Sequence, residues 1–104
     1  DVRDAVRAYQ LLAEKGEAGE VYNVCSGQGT SIRDLLNVML ELSTRRDISV
    51  QVDPARFQPA DVPVQVGDAR KLHAATGWIP VIPLRQTLED VLNYWRVRIN
   101  EEHK

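Results

Sequence analysis

Apolar residues at Val2, Ala5, Val6, Tyr9, Leu12 and Ala13 recur at three- and four-residue steps, which places them on one stripe of a helix predicted from Val2 to about Lys15. Gly16 and Gly19 bracket the turn that follows. Residues 20–25, Glu-Val-Tyr-Asn-Val-Cys, carry two valines and a tyrosine between glycine-containing segments, the pattern of a short buried strand. Ser26-Gly27-Gln28-Gly29-Thr30 is then a loop. Ser31 is a good N-cap, and Asp34 approximates a capping box while complementing the positive helix N-terminus. A second helix is predicted from there to about Thr44, with Ile32, Leu35, Leu36, Met39 and Leu42 on its apolar face.

Residues 48–52 alternate apolar and polar side chains and predict a second strand. Strand, helix and strand in that order imply a right-handed parallel crossover. Pro54, Pro59 and Pro63 then break the pattern, since each removes a backbone donor and restricts the residue before it. Asp68 is placed to cap a short helix through Ala75, stopped by Gly77 before Trp78-Ile79-Pro80. A final helix carries Leu84, Leu88, Val91, Leu92, Trp95 and Ile99 on one stripe, and residues 101–104 read as a frayed tail. The expected fold class is α/β, a small parallel sheet with packed helices, and residues 1–100 form its one domain.

Composition agrees with a small globular domain. Of 104 residues, 43% are hydrophobic and 27% charged. A domain of this size removes a modest fraction of its surface from water, so loss of a covering neighbour would expose apolar surface. The chain enters its first helical pattern at Asp1-Val2-Arg3-Asp4 with no initiator Met, and is expected to be a piece of a longer polypeptide. A formal charge of -2, without a block of Lys or Arg, argues against nucleic acid and anionic membranes as partners. One cysteine, Cys25, allows no intramolecular disulfide and suits a reducing cytoplasm. No apolar run approaches the roughly 20 residues that span a bilayer.

Most chemical side chains have a structural explanation. Gly27-Gln28-Gly29 lacks both the Walker spacing and the three-glycine dinucleotide fingerprint, and is read as a tight turn. Cys25, at a strand end, is read as a buried, inert thiol. His73 and His103 have no companion at metal-ligand spacing, so no metal is assigned. Trp78, Trp95 and the three tyrosines are assigned to core packing. Carboxylates such as Asp34, Asp68, Glu89 and Asp90 are accounted for by capping and solvated helix faces, and no catalytic pair emerges.

The segment Pro54-Ala55-Arg56-Phe57-Gln58-Pro59-Ala60-Asp61-Val62-Pro63 is different. Its prolines stiffen a loop that offers a guanidinium, an amide and a carboxylate, and a stiff loop loses little entropy on ordering a ligand. Arginine suits phosphate oxygens, and a carboxylate suits the paired hydroxyls of a sugar. A solvated loop and a ligand loop are both compatible with these residues.

Asp1-Val2-Arg3-Asp4-Ala5-Val6-Arg7-Ala8-Tyr9, Val21-Tyr22-Asn23-Val24-Cys25-Ser26-Gly27, Gly67-Asp68-Ala69-Arg70-Lys71-Leu72 and Ala75-Thr76-Gly77-Trp78-Ile79-Pro80 follow one another as in a known family. In them the chain resembles the C-terminal part of extended short-chain dehydrogenase/reductases acting on nucleotide sugars, and is most like GDP-mannose 4,6-dehydratases and the related GDP-6-deoxy-4-ketohexose reductases. The resemblance implies a Rossmann domain upstream that binds NAD(P) and carries a Tyr-x-x-x-Lys pair. Neither the glycine-rich motif nor that pair is present here, so no catalytic or cofactor-binding residue is assigned to this chain, and alone it is expected to be inactive. By the family's Arg-Pro-x-Asp motif, Asp61 is implied to bind the nucleotide ribose. Gln58 stands where the family has its phosphate-binding arginine, with Arg56 close enough in sequence to substitute. The implied whole is an NAD(P)-dependent GDP-hexose dehydratase or reductase, and a homo-oligomer. A UDP- or dTDP-sugar epimerase or dehydratase, or a non-catalytic module of the same fold, are the alternatives.

Overall fold

A computed structural model describes residues 1–56 and 64–102. Four helices account for the regular structure of those residues: α1 (Val2–Lys15), α2 (Ile32–Leu42), α3 (Arg70–Thr76) and α4 (Leu84–Glu102). Their ends follow local chemistry. Asp1 caps α1 by accepting from the Arg3 backbone N–H at 2.9 Å, and Ser31 caps α2 by accepting from the Asp34 N–H at 3.0 Å. Asp68 accepts from the Arg70 N–H at 3.0 Å and so serves the start of α3. Gly77, at φ 77°, ends that helix in the left-handed conformation that glycine adopts freely.

The helices pack as two pairs, α1 with α3 and α2 with α4. Between α1 and α3 lies the core, where Ala8, Leu72 and Trp78 are buried and Leu11, Leu12, Tyr22, Val24 and Ala69 pack around them. Thr76 closes its lower edge, donating to the Leu72 carbonyl at 2.8 Å and accepting from the Trp78 N–H at 3.1 Å. On the other side, Arg96 of α4 donates to the Leu42 carbonyl at 3.1 Å, placing a cation at the negative end of α2. Arg85 of α4 pairs with Glu41 of α2 at 2.9 Å. Neither α2 nor α4 has a fully buried residue.

Three expectations are corrected here. No strand forms among the described residues, so the parallel sheet expected from residues 20–25 and 48–52 is not present. A strand exists only through a ladder partner, and neither segment has a backbone hydrogen bond to another extended segment among the described residues. Secondly, the predicted stripe of α1 is packed only in part: Leu12 meets the core and Ala5 is half-buried, but Val2, Val6 and Tyr9 are exposed, whereas Asp4 and Ala8, off the stripe, are buried. Thirdly, Trp95 is not core. It is 53% exposed and meets Tyr94 edge to face, with ring centroids 5.4 Å apart.

These corrections share a cause. The radius of gyration is 17.9 Å, well above the about 13 Å of a compact domain of this length. Among the described residues, apolar side chains such as Val6 of α1, Val97 of α4 and Val52 of the extended segments therefore stay exposed.

Candidate functional site

The loop at 26–30, the N-terminus of α1 and the segment joining α3 to α4 enclose a cleft of about 530 Å³. Each wall has a local origin. On one side, Ser26 Oγ accepts from the Gln28 N–H at 3.2 Å, and Gly27 takes φ 76°, folding the loop back on itself. Gly29 keeps that loop close to the segment that begins at Val64, since a Cβ there would lie 3.1 Å from Val66 Cγ2. Ser26, Gln28, Thr30 and Gln65 thereby present hydroxyls and amides to the cleft.

The opposite wall is the strap at 80–83, continued by Leu84 and Thr87 of α4. Asp4 of α1 holds it. The Asp4 carboxylate accepts from the Val81 N–H at 3.2 Å, the Ile82 N–H at 3.1 Å and Arg7 Nη2 at 3.0 Å. Burial pushes this carboxyl up, but the Ile82 N–H, the Arg7 guanidinium and the Val81 N–H together outweigh it and hold Asp4 below the ordinary carboxylate value. Asp1 is equally engaged. It accepts from Thr87 Oγ1 at 2.6 Å and from Arg3 Nη2 at 2.8 Å, and the same Arg3 nitrogen reaches Asp90 at 2.8 Å. The Arg3 guanidinium, then the Gln86 amide, hold Asp90 below its usual value.

Chemically, the cleft is polar without being cationic. Both of its carboxylates are committed to donors within the chain, so neither is free as a general base. Among the described lining residues there is no Lys or Arg. Such a surface suits a hydroxyl-rich, uncharged group, and leaves the charge of a phosphate to be met from elsewhere.

Arg56 does not line this cleft. Its side chain is 89% exposed, with Nε 3.7 Å from Asp53 Oδ2. Gln58 and Asp61 lie at 57–63, outside the described residues. A second, shallower hollow of about 430 Å³ adjoins Cys25, Gly67, His73 and Trp78. There His73 Nδ1 donates to the Trp78 carbonyl at 3.2 Å, and Cys25 is half-buried against Gly67. Among the described residues no group of three His, Cys, Asp or Glu is placed to hold a metal, and no helix is long and apolar enough to cross a membrane.

Sequence reasoning missed Asp4, Gln65 and Thr87, and took the 26–30 loop as a turn alone. For Asp4 a signal existed. Asp1, Asp4 and Ala8 follow one another at helical steps of three and four, a polar-and-small face beside the apolar stripe that drew the assignment.

Comparison with known proteins gives this geometry its context. The family described as GDP-mannose 4,6 dehydratase matches residues 1–91. The GDP-6-deoxy-D-mannose reductase of Pseudomonas aeruginosa is 40% identical over 102 residues, covering 98% of this chain and 33% of that protein. Human dTDP-D-glucose 4,6-dehydratase is 23% identical over 97 residues, covering 89% of this chain and 27% of that protein. A solved structure of RMD from Pseudomonas aeruginosa, complexed with NADPH, superposes with a TM-score of 0.85 at 39% identity, over 94% of this chain and 32% of that one. The chain thus spans about a third of the length of the relatives it matches.

Proposed function

The chain belongs to the GDP-mannose 4,6 dehydratase family, and from that membership we propose that it is the nucleotide-sugar-binding portion of an NAD(P)-dependent enzyme acting on a GDP-linked hexose. Of the two activities in that family, reduction of a GDP-4-keto-6-deoxyhexose is the reading supported best. The observation that carries it is the 40% identity to a GDP-6-deoxy-D-mannose reductase across 98% of the chain. The match to a GDP-mannose 4,6-dehydratase, of Vibrio cholerae, covers 44%.

In this reading the cleft receives the sugar end of the substrate. Its hydroxyl and amide groups can exchange hydrogen bonds with sugar hydroxyls, and the 80–83 strap offers an apolar wall to the ring and its deoxy carbon. Asp61 takes the ribose hydroxyls, and Arg56 and Gln58 meet the diphosphate. Gln65 lines the same cleft and adds an amide to it. NAD(P)H is bound by the part of the protein outside this chain and supplies the hydride, which adds to the ketone carbon while its oxygen takes a proton. Residues 20–25 and 48–52 join a sheet with that part. The working enzyme is a cytoplasmic homo-oligomer.

The test is NADPH oxidation by the full-length protein with GDP-4-keto-6-deoxy-D-mannose, with GDP-mannose, UDP and dTDP sugars as competitors. Turnover inhibited by GDP-mannose and not by the UDP or dTDP compounds is expected. Preference for a UDP or dTDP sugar would replace the reading with an epimerase or dehydratase of another base, and no turnover of any of them would leave a binding module.

A further inference from the structure

We propose that Asp4 is a positioning residue for substrate: by gripping the 80–83 strap it sets the apolar wall of the cleft and thereby the affinity for the sugar end of the nucleotide sugar. This rests on the reading of the cleft as the substrate site. The strap is neither helix nor strand, and packing holds it only in part, with Val81 61% exposed and Ile82 half-buried. Its hydrogen-bonding capacity is also unusual. Pro80 and Pro83 have no N–H, so Val81 and Ile82 are the only backbone donors in the strap. Both donate to the Asp4 carboxylate, which is 4% exposed.

Arg7, one turn along α1, completes the grip. Its Nη2 donates to Asp4 at 3.0 Å and to the Ile79 carbonyl at 2.5 Å, so the residue entering the strap is tied to the same carboxylate. A backbone whose N–H groups are held by one carboxylate through charge-assisted bonds moves when that side chain changes, because the strap belongs to no helix or ladder. An asparagine at position 4 keeps the size but offers one acceptor oxygen and no charge. With that oxygen at the Oδ2 position, which accepts from both strap N–H groups, both bonds are weakened by the loss of charge, and the amide NH2 faces Arg7 Nη2 in place of the acceptor Oδ1.

Asp4→Asn in the full-length protein is the direct test, with Val81→Pro as the second variant, because it removes one strap donor and leaves Asp4 intact. The KM for the nucleotide sugar should rise about tenfold in Asp4→Asn and less in Val81→Pro, with kcat and the KM for NADPH within about twofold of the parent. The Val81 and Ile82 amides, slow to exchange with solvent in the parent, should exchange at least tenfold faster in Asp4→Asn. A loss that only tracks the folded fraction, with KM unmoved in either variant, would overturn the proposal, as would fast exchange of both amides in the parent. If the unmodified protein turns over no nucleotide sugar, the functional reading falls and the exchange measurement alone decides whether Asp4 grips the strap.

Discussion

Trp78 Nε1 donates to the main-chain carbonyl of Asp4 at 2.9 Å. One residue of α1 therefore holds both the core tryptophan, through its carbonyl, and the cleft wall that follows it, through its carboxylate. Cleft wall and core share an anchor in the first turns of α1.

Replacing Trp78 measures the core half of that anchor. The Asp4 carbonyl belongs to the helical ladder as well, so Trp78→Phe leaves it with a partner and removes mainly volume and one hydrogen bond. A loss of about 1–3 kcal/mol is expected for Trp78→Phe and about 3–5 kcal/mol for Trp78→Ala. Urea unfolding of the full-length protein and both variants would check this. Equal midpoints for all three would show that Trp78 does not organise the core.

Gly67 and Cys25 form a second dependence. A Cβ on Gly67 would lie 2.7 Å from Cys25 Sγ and 3.1 Å from its Cβ, so Gly67→Ala forces one of the two segments to shift. The expected cost is about 1–3 kcal/mol. Cys25→Ala removes the obstructing sulfur, and the double variant should recover part of that cost, giving a coupling energy of about 0.5–3 kcal/mol in a double-mutant cycle. Additive single effects would mean that the thiol and the glycine are not in contact.

Acid stability follows from Asp4. Its folded-state carboxyl titrates below the ordinary value, so the stability it contributes is fully present above the unfolded value, about 3.9, and is lost as pH falls through the folded one. Asp4→Asn lacks that titration. The parent should be the more stable at pH 6, and the difference should narrow steadily below about pH 4. Unfolding midpoints from pH 6 to 2 would test the sign, and a difference independent of pH would exclude Asp4 as a source of the acid limb.

The helices were legible because their signals are local. Ser31 with Asp34 marked the start of α2, and Gly77 marked the end of α3, from side-chain oxygens and backbone freedom acting within a few residues. The site was legible only in part. Asp4 reads as one more acid in a helix N-terminus until the chain folds back and brings Val81 and Ile82 to it from 77 and 78 residues away. Periodicity likewise finds that α1 is amphipathic but not which neighbour covers the stripe of Val2, Val6 and Tyr9. Among the described residues none does.

The expected strands failed for the same reason, and they yield the last prediction. Residues 20–25 and 48–52 have the side chains of strands, yet Val21, Ile48, Val50 and Val52 are exposed and the segments lie outside any ladder among the described residues. A pleated segment gains its stability from cross-strand pairs and from burial of its faces, so it stays unpaired until a neighbouring strand is supplied. Amide exchange at Val24 and Val50 should therefore be rapid in the 104-residue chain and, if the segments join a sheet as proposed, slowed by at least a hundredfold in the full-length protein. Slow exchange in the short chain would mean that the two segments pair on their own. Equally rapid exchange in both would mean that they are not strands at all, and that valine and alternation at these positions serve packing against helices instead.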